Sequence, residues 1–338
     1  MEEIMPVNKG YVLASRPAVG GKATPENFAF FEEEAGEPGP GEVLVRHAFL
    51  SLDPYMRGRM DESRSYAASQ ELGQVMIGGT VGEVVASRNP RFSVGDKVLG
   101  TGGWRLYALS DGALLRKVDA SRVPLQAYLG ALGMPGITAW IGLNTIIAPK
   151  PGETVVVSAA TGAVGSVVGQ LAKAAGARAV GIAGGPEKCA YAVEELGFDA
   201  CLDRRSASFD ADLKAAAPNG IDGLFENAGG RIFAACLRRL NDFARIAICG
   251  LIASYQGEET TALPDLRLVL VRRLRIEGLI VFDRMDLWPR ALDELTALHA
   301  SGKLKWRESV AEGIESAPQA FLDLLAGKNF GKQLVRLP

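Results

Sequence analysis

Histidine is nearly absent: the 338-residue chain carries two, His47 and His299. Cysteine is scarce as well, with Cys189, Cys201, Cys236 and Cys249 showing no C-x-x-C spacing. A chain so short of imidazoles and paired thiols is poorly equipped to hold zinc, and no metal site is expected. The cysteines fall in apolar or helical contexts and read as small core side chains rather than ligands or disulfide partners. Such usage fits a reducing, cytoplasmic compartment. Excess charge is lacking too. A formal net charge of -2 argues against a nucleic-acid partner, whose phosphates call for a basic surface. The N-terminal "MEEIMPVNKGYVLAS" has acids where a signal peptide carries Lys or Arg, and no apolar core follows. One uncharged run, Val123 to Pro149, is long enough to span a bilayer. However, Met134-Pro135-Gly136 breaks its centre and Pro124 and Pro149 sit at its ends, so it reads as buried helix and turn. No membrane partner is expected.

What is present is a globular profile, with 48% hydrophobic and 22% charged residues, in a length that suits roughly two domains. The first third reads as short strands: "GYVLAS", "EVLVRHAFLSL", "QVMIGGTVGEVVAS", "DKVLG", "WRLYALS" and "LLRKV". Strands in such close succession suggest a small barrel or sandwich. From Thr154 the pattern alternates strand and helix, from "TVVVSAA" and "GAVGSVVGQLAKAAG" through to "RIFAACLRRL" and "ARIAICG". Continuous apolar runs of this length are the mark of buried parallel strands with helices on both faces. A later strand, "RIEGLIVFD", precedes the helix "DLWPRALDELTALHASG", and the strand-like "NFGKQLVRLP" is expected to return to the first domain. The fold class is therefore α/β, a doubly wound parallel sheet plus a strand-rich domain.

"TVVVSAATGAVGSVVGQ" orders a strand, a tight turn and a helix N-terminus. Gly162 would let the backbone approach a pyrophosphate and Gly165 would let the helix pack on the sheet, while the helix N-terminus supplies N–H groups for the anion. The rival reading is small residues serving helix–strand packing alone. NAD sites usually end the second strand with Asp or Glu, to bond the ribose 2′-hydroxyl. Here "GIAGGPEK" places Ala183, Gly184 and Gly185 there, with Lys188 in reach and Arg204 and Arg205 as further cations. That arrangement suits a 2′-phosphate and hence NADP(H); a solvated Lys188 with Glu187 on the ribose is the alternative. Three more turns fall at strand ends: Phe225–Gly230, Cys249–Tyr255 and Ile280–Asp283. Asn227 offers an amide suited to a ribose or carboxamide. Tyr255 brings either a hydroxyl to the crevice or an aromatic anchor to its loop.

These residues carry a resemblance. The chain resembles zinc-independent medium-chain dehydrogenase/reductases, and within them the alkenal double-bond reductases, curcumin reductases and leukotriene 12-hydroxydehydrogenase/prostaglandin reductases. The matching stretches run nearly end to end, among them "SLDPYMRGRM", "GQVMIGGTVGEVVASRNPRFSVGDKVLG", "LGMPGITAW", "FENAGG", "NDFARIAICGLIASY" and "NFGKQLVRL". The resemblance implies a GroES-like substrate domain from residues 1–125 and 306–338, a Rossmann NADP-binding domain over 126–305, and an active site in the cleft. It implies that Gly162, Ala163, Val164 and Gly165 hold the pyrophosphate and that Lys188 binds the 2′-phosphate near Gly184. Asn227, Cys249, Gly250, Leu251, Ile252, Tyr255, Ile280, Val281, Phe282 and Asn329 match other cofactor contacts. Arg204 departs from the tyrosine common in relatives, though an arginine can still bind phosphate. Ser51, Asp53 and Tyr55 occupy the region where zinc enzymes of the superfamily have a ligand cysteine.

The resemblance further implies hydride reduction of the carbon–carbon double bond of a small enone or enal, without metal. Tyr255 is the first choice for the donor to the carbonyl oxygen, with the nicotinamide ribose 2′-hydroxyl as companion. Tyr55 is the second candidate, with a structural role at a chain turn as its rival. His47 on a strand and His299 on a helix read as structural or solvent-exposed. A quinone reductase of the same superfamily and a non-catalytic NADPH-binding protein remain alternatives. The resemblance suggests a homodimer, paired through edge strands near "RIEGLIVFD". Substrate size depends on the Met60–Gln70 and Ser254–Leu266 loops.

Overall fold

The computed structural model describes residues 6–18, 20–257, 260–262 and 264–338. The acid-bearing residues 1–5 and part of the 254–266 loop lie outside the described residues. The chain divides into two compact units: residues up to Leu129 with Glu308–Asn329 and Gln333–Pro338, and Gly130–Arg307 with Phe330–Lys332.

The first stretch supplies strands β1 (Val7–Leu13), β2 (Phe28–Glu34) and β3 (Val43–Ser51), helix α1 (Tyr55–Arg59), then β4 (Thr80–Ser87), β5 (Lys97–Gly100), β6 (Tyr107–Ser110) and β7 (Arg116–Lys117). The middle supplies α2 (Met134–Ile141), β8 (Thr154–Ser158), α3 (Gly165–Ala174), β9 (Arg178–Ala183), α4 (Pro186–Glu194) and β10 (Ala200–Asp203). It continues with α5 (Phe209–Ala216), β11 (Ile221–Glu226), α6 (Gly230–Leu237), β12 (Leu240–Ile248), α7 (Leu266–Arg272), β13 (Arg275–Gly278) and α8 (Trp288–Ala300). The chain ends with β14 (Glu308–Glu312), α9 (Ala317–Leu325) and β15 (Lys332–Arg336).

In the second unit six parallel strands run in the order β10-β9-β8-β11-β12-β13. Every residue of β8 is buried, as are most of β9 and β11, which is why these strands read as unbroken apolar runs. The order reverses between β8 and β11, where the connections leave for opposite faces and open a crevice at the strands' carboxyl ends. The uncharged run before β8 becomes core: α2 is almost wholly buried, as are Gly142, Leu143, Ile146 and Ile147 of the π-helix that follows, with Asn144 exposed. Gly142 is required there, since a Cβ would lie 2.6 Å from Phe225 and 2.7 Å from Leu279. Trp140 Nε1 donates to Glu294 Oε2 on α8 at 2.7 Å. Among the described residues no helix is long and apolar enough to cross a membrane.

In the first unit β14-β15-β3-β4-β5-β7 form one sheet, with β6 also paired to β3, and β1 and β2 pair antiparallel. Its core centres on the fully buried Trp104, stacked on Phe28 at 5.2 Å and met edge-on by Phe321 of α9 at 5.5 Å.

Two expected strands differ. "QVMI" forms only an isolated bridge, Val12 to Val75, where Gln74 O accepts from Leu13 N and Met76 N donates to Tyr11 O of β1. "RIEGLIVFD" is a strand only to Gly278; Val281–Leu287 coils into 3-10 turns, ending the strand at its glycine. Strands β2 and β14 and helices α1, α7 and α9 stand outside the elements expected from the pattern.

Candidate functional site

The glycine turn follows β8 directly. Ala159 adopts a left-handed conformation (φ 49°), Gly162 donates its N–H to Ala159 O at 2.9 Å, and α3 begins at Gly165. A Cβ at Gly165 would sit 2.4 Å from Ala159 O, so the turn itself demands that glycine; at Gly162 the same gap is 3.2 Å. Close packing of α3, expected of Gly165 against the sheet, also depends on Gly169 against the loop before β10. A Cβ there would lie 1.8 Å from the Phe198 ring. Its spacing of four from Gly165 on one helix face was the available signal. Gly162, Ala163 and Val164 are half-buried ahead of a helix start that has no side-chain cap; Ser166 N and Val167 N already bond Gly162 O and Val164 O, so an anion would meet the N–H groups that precede them.

Three cations gather at the end of β9. A Cβ on Gly184 would lie 3.3 Å from Arg204 Nε and 3.7 Å from Arg205 Nη2, and one on Gly185 would lie 3.7 Å from Arg205 Nη1. Lys188, half-buried in the first turn of α4, has its pKa lowered by burial and then by Arg205 and Arg204. Asp203 fixes the frame, accepting N–H bonds from Gly185 and Arg205 at 2.9 Å each. Such mutual repulsion is relieved by a polyanion, and a phosphate is the compact group that meets several cations at once. Phe330 and Arg307 were not anticipated here: the Lys188 ammonium lies 5.9 Å from the centre of the Phe330 ring, and the Arg307 guanidinium 4.0 Å from the same centre. The signal for Phe330 was its adjacency to Asn329; Arg307, 22 residues earlier, had none.

The loops after β8, β11 and β12 are tied through Ser158 and Glu226. Both are fully buried, and Ser158 Oγ donates to Glu226 Oε1 at 2.7 Å. That oxygen also accepts from Ala228 N and Gly229 N at 2.6 and 2.7 Å, while Ser158 Oγ accepts from Asn227 N at 2.7 Å. The Glu226 carbonyl takes the N–H groups of Cys249 and Gly250. Burial pushes the Glu226 carboxyl above its ordinary value, against the lowering effect of these donors. Asn227 is more brace than probe: its Nδ2 donates to Ser158 O at 2.8 Å. Cys249, Gly250, Leu251 and Ile252 line the turn after β12, and burial with the nearby Glu226 pushes the Cys249 thiol up to about 12. Tyr255 closes that turn, its hydroxyl oxygen accepting the Leu251 N–H at 3.3 Å, a bond that does not use the phenol's proton. Val281 is buried and its carbonyl accepts from Trp288 Nε1 at 3.1 Å; Ile280 is half-buried and Phe282 exposed.

In the first unit, Tyr55 opens α1 and is packed near Asp53, Tyr66 and Arg59; burial, then the Asp53 charge, raises its pKa well above the phenol's usual value. Ser51 donates to buried Asp53. Asn329 is half-buried in the same unit. Arg57, a fully buried residue that sequence reasoning passed over, pairs with Asp61 at 2.6 Å and donates to Gly21 O at 2.7 Å. His47 is buried with Nδ1 2.8 Å from Arg105 O, and burial lowers its pKa to about 4, a neutral structural ring. His299, in the second unit, packs on Trp306 with ring centres 4.8 Å apart. Of the four cysteines, all free, only Cys236 is fully buried; the others are half-buried, a departure from the all-core expectation.

A doubly wound sheet with a glycine turn at its switch point and cations at the next strand end defines a dinucleotide-binding α/β protein. Residues 9–118 match the N-terminal domain of oxidoreductase family, and residues 163–297 the family described as zinc-binding dehydrogenase. The chain is 46% identical to the NADPH-dependent curcumin reductase of Escherichia coli, over 98% of this chain and 97% of that protein. It is 42% identical to a 2-alkenal reductase (NADP(+)-dependent) of Nicotiana tabacum, over 88% of each. The crystal structure of CurA in complex with NADPH from Vibrio vulnificus superposes with a TM-score of 0.93 at 45% identity, covering 98% of this chain and 99% of that one. The chain belongs to the medium-chain dehydrogenase/reductase superfamily, in the branch of curcumin, 2-alkenal and prostaglandin reductases. The zinc of the family description finds no donor set: among the described residues no group of three or more His, Cys, Asp and Glu side chains is placed to hold a metal ion.

Proposed function

We propose that this protein is an NADPH-dependent reductase of the carbon–carbon double bond of α,β-unsaturated aldehydes and ketones. The observation that carries the reading is the convergence of Lys188, Arg204 and Arg205 on Gly184–Gly185, one strand from the glycine turn. Relatives named as NADPH-dependent curcumin reductase and NADP(+)-dependent 2-alkenal reductase support it. Gly162, Ala163, Val164 and Gly165 would hold the pyrophosphate, Lys188 and Arg204 the 2′-phosphate. The Asn227 and Cys249–Ile252 turns, Ile280–Phe282 and Asn329 would hold the nicotinamide half. When bound, the cofactor supplies a hydride for the β-carbon of the enone.

What remains for the chain is to stabilise charge growing on the substrate carbonyl oxygen. Tyr255 is the donor in this reading, because its hydroxyl stands on the turn that Glu226 fixes. Tyr255 or a water would then protonate the α-carbon. Tyr55, whose raised pKa keeps its phenol protonated, is the second candidate.

A homodimer belongs to the same proposal. Strand β13 ends the six-strand order and all four of its residues are exposed. Exposed Leu266, Leu270 and Val271 of α7 lie on the neighbouring element, an apolar surface that a second copy's edge would cover.

The test is a spectrophotometric panel of NADPH and NADH oxidation with a linear 2-alkenal, a bulky enone and a quinone, for wild type, Tyr255→Phe and Tyr55→Phe. Fast NADPH oxidation with enones, reduced roughly 100-fold or more in one phenylalanine variant, supports the reading and picks the donor. Turnover mainly of quinone moves the protein to a quinone reductase. Tight NADPH binding without turnover leaves a binding protein.

A further inference from the structure

We propose that Phe330 is a positioning residue for cofactor selectivity, whose ring holds the Lys188 ammonium ready for the phosphate that separates NADPH from NADH. The inference rests on the 2′-phosphate role proposed above for Lys188. Lys188 and Tyr191 stand three residues apart on α4 and so share one face of that helix. Phe330 packs on this face. The Lys188 ammonium lies over its ring, 5.9 Å from the centre, and the Tyr191 ring meets it edge-on at 5.1 Å. A further group clamps the ring: the Arg307 guanidinium lies over it at 4.0 Å and over the Tyr191 ring at 5.8 Å. All four residues belong to the second unit.

The backbone brings ring and guanidinium together. Lys332 N donates to Arg307 O at 2.9 Å, and a Cβ on Gly331 would lie 1.9 Å from that oxygen. Only a glycine, here at φ 84°, lets the two segments touch. The Arg307 segment is in turn fixed to α3, where the Gln170 side-chain amide exchanges two bonds of 2.8 Å with the carbonyl and N–H of Lys305. Lys305 Nζ also reaches Glu195, at the end of α4, at 3.0 Å. The clamp is thus tied to the two helices that flank the cofactor turns.

A lysine side chain carries much rotamer freedom, and ordering it when a ligand arrives costs affinity. An aromatic face attracts an ammonium through its quadrupole without consuming an N–H donor in a hydrogen bond. Lys188 lies in the first turn of α4, whose N-cap is Gly185, the glycine beside Arg205. Phe330 therefore orders the lysine at the cation cluster before the cofactor binds, and part of the entropy cost falls away. NADH has a hydroxyl where NADPH has the phosphate, so this gain falls on NADPH alone.

The experiment measures dissociation constants of NADPH and NADH by nicotinamide fluorescence. The proteins compared are wild type, Phe330→Leu, Phe330→Tyr, Lys188→Met and the Phe330→Leu/Lys188→Met double variant. In Phe330→Leu the constant for NADPH should rise roughly five- to tenfold, while that for NADH stays within about twofold. Phe330→Tyr keeps the aromatic face and should bind NADPH like the wild type. The double variant should bind NADPH no more weakly than Lys188→Met, since the ring acts only through the lysine. Equal losses for both cofactors in Phe330→Leu, losses that add in the double variant, or a tyrosine variant no better than leucine would overturn the role and leave a ring that only packs. Should Phe330→Leu not fold, Arg307→Ala loosens the ring from an exposed position and should weaken NADPH alone, by roughly two- to threefold. NADPH binding unchanged in that variant would then overturn the role. A wild type that binds NADPH no better than NADH removes the 2′-phosphate reading and the selectivity role together. A selective wild type whose Phe330 variants bind NADPH unchanged removes only the latter.

Discussion

Ser158 and Glu226 meet at 2.7 Å inside the sheet, at the ends of β8 and β11 where the strand order reverses. Through this one contact the phosphate turn, the Asn227 turn and the Cys249–Gly250 turn share a common anchor. Neither side chain is polar for the sake of solvent, since both have no exposed surface. Their polarity serves the loops.

Replacing Ser158 with Ala removes a hydroxyl that donates to Glu226 and accepts from Asn227. Buried groups left without partners cost about 1–3 kcal/mol, so Ser158→Ala should lose that much stability in urea unfolding. Its KM for NADPH should rise as well, because the turn amides lose their fixed direction.

Glu226 should show a pH signature. Its folded pKa is raised above the ordinary 4.5, so its favourable contribution is complete below that value and is lost as pH rises through the folded value. Glu226→Gln mimics the neutral form and keeps an oxygen for Ala228 and Gly229. The variant should therefore gain stability relative to wild type as pH rises from acid to neutral. A difference that is flat with pH, measured by urea unfolding at a series of pH values, would contradict this.

His47 gives the opposite dependence. Burial lowers its folded pKa from 6.5 to about 4. Between those values the unfolded chain takes up a proton that the folded one refuses, so stability falls as pH drops through this window, by about 1.4 kcal/mol per pH unit. His47→Gln cannot take up that proton. Urea midpoints at neutral pH and near pH 4.5 should fall less steeply for the variant.

Lys188→Ala should raise the KM for NADPH by roughly 10- to 100-fold, the loss of a charge-assisted phosphate contact, and leave that for NADH nearly unchanged. Equal losses for both cofactors would place the lysine's role elsewhere.

Gly169→Ala should destabilise the protein by about 1–3 kcal/mol, because the added methyl meets the Phe198 ring. Adding Phe198→Leu should recover part of that loss. Additive losses in the double variant would show that the two residues do not press on each other.

Buried parallel strands announce themselves, and β8, β9 and β11 were legible because burial on both faces allows nothing but apolar residues. So was the glycine turn, whose constraint is local. Strand β2 was not, because "FAFFEEE" ends in acids on a half-exposed pair rather than alternating cleanly. Helix α9 hid for a different reason: its role is set by a partner, Trp104, that lies more than two hundred residues earlier. At the site, single residues such as Lys188 and Tyr255 stood out by type and position. The Ser158–Glu226 anchor did not, since it joins residues on separate strands and nothing in linear spacing brings them together.

Helix α9 also sets a timetable for synthesis. Phe321 completes the aromatic cluster with Phe28 and Trp104, and β15 supplies the partner for the Phe49–Ser51 end of β3. The strands of the first unit emerge from the ribosome early but cannot finish their core until the last residues have followed. The whole Rossmann sheet, continuous in the chain, is free to fold in the interval. A nascent chain stalled near residue 305 should therefore carry a finished nucleotide-binding sheet and an open-sided strand unit with Trp104 uncovered, a ready substrate for chaperones.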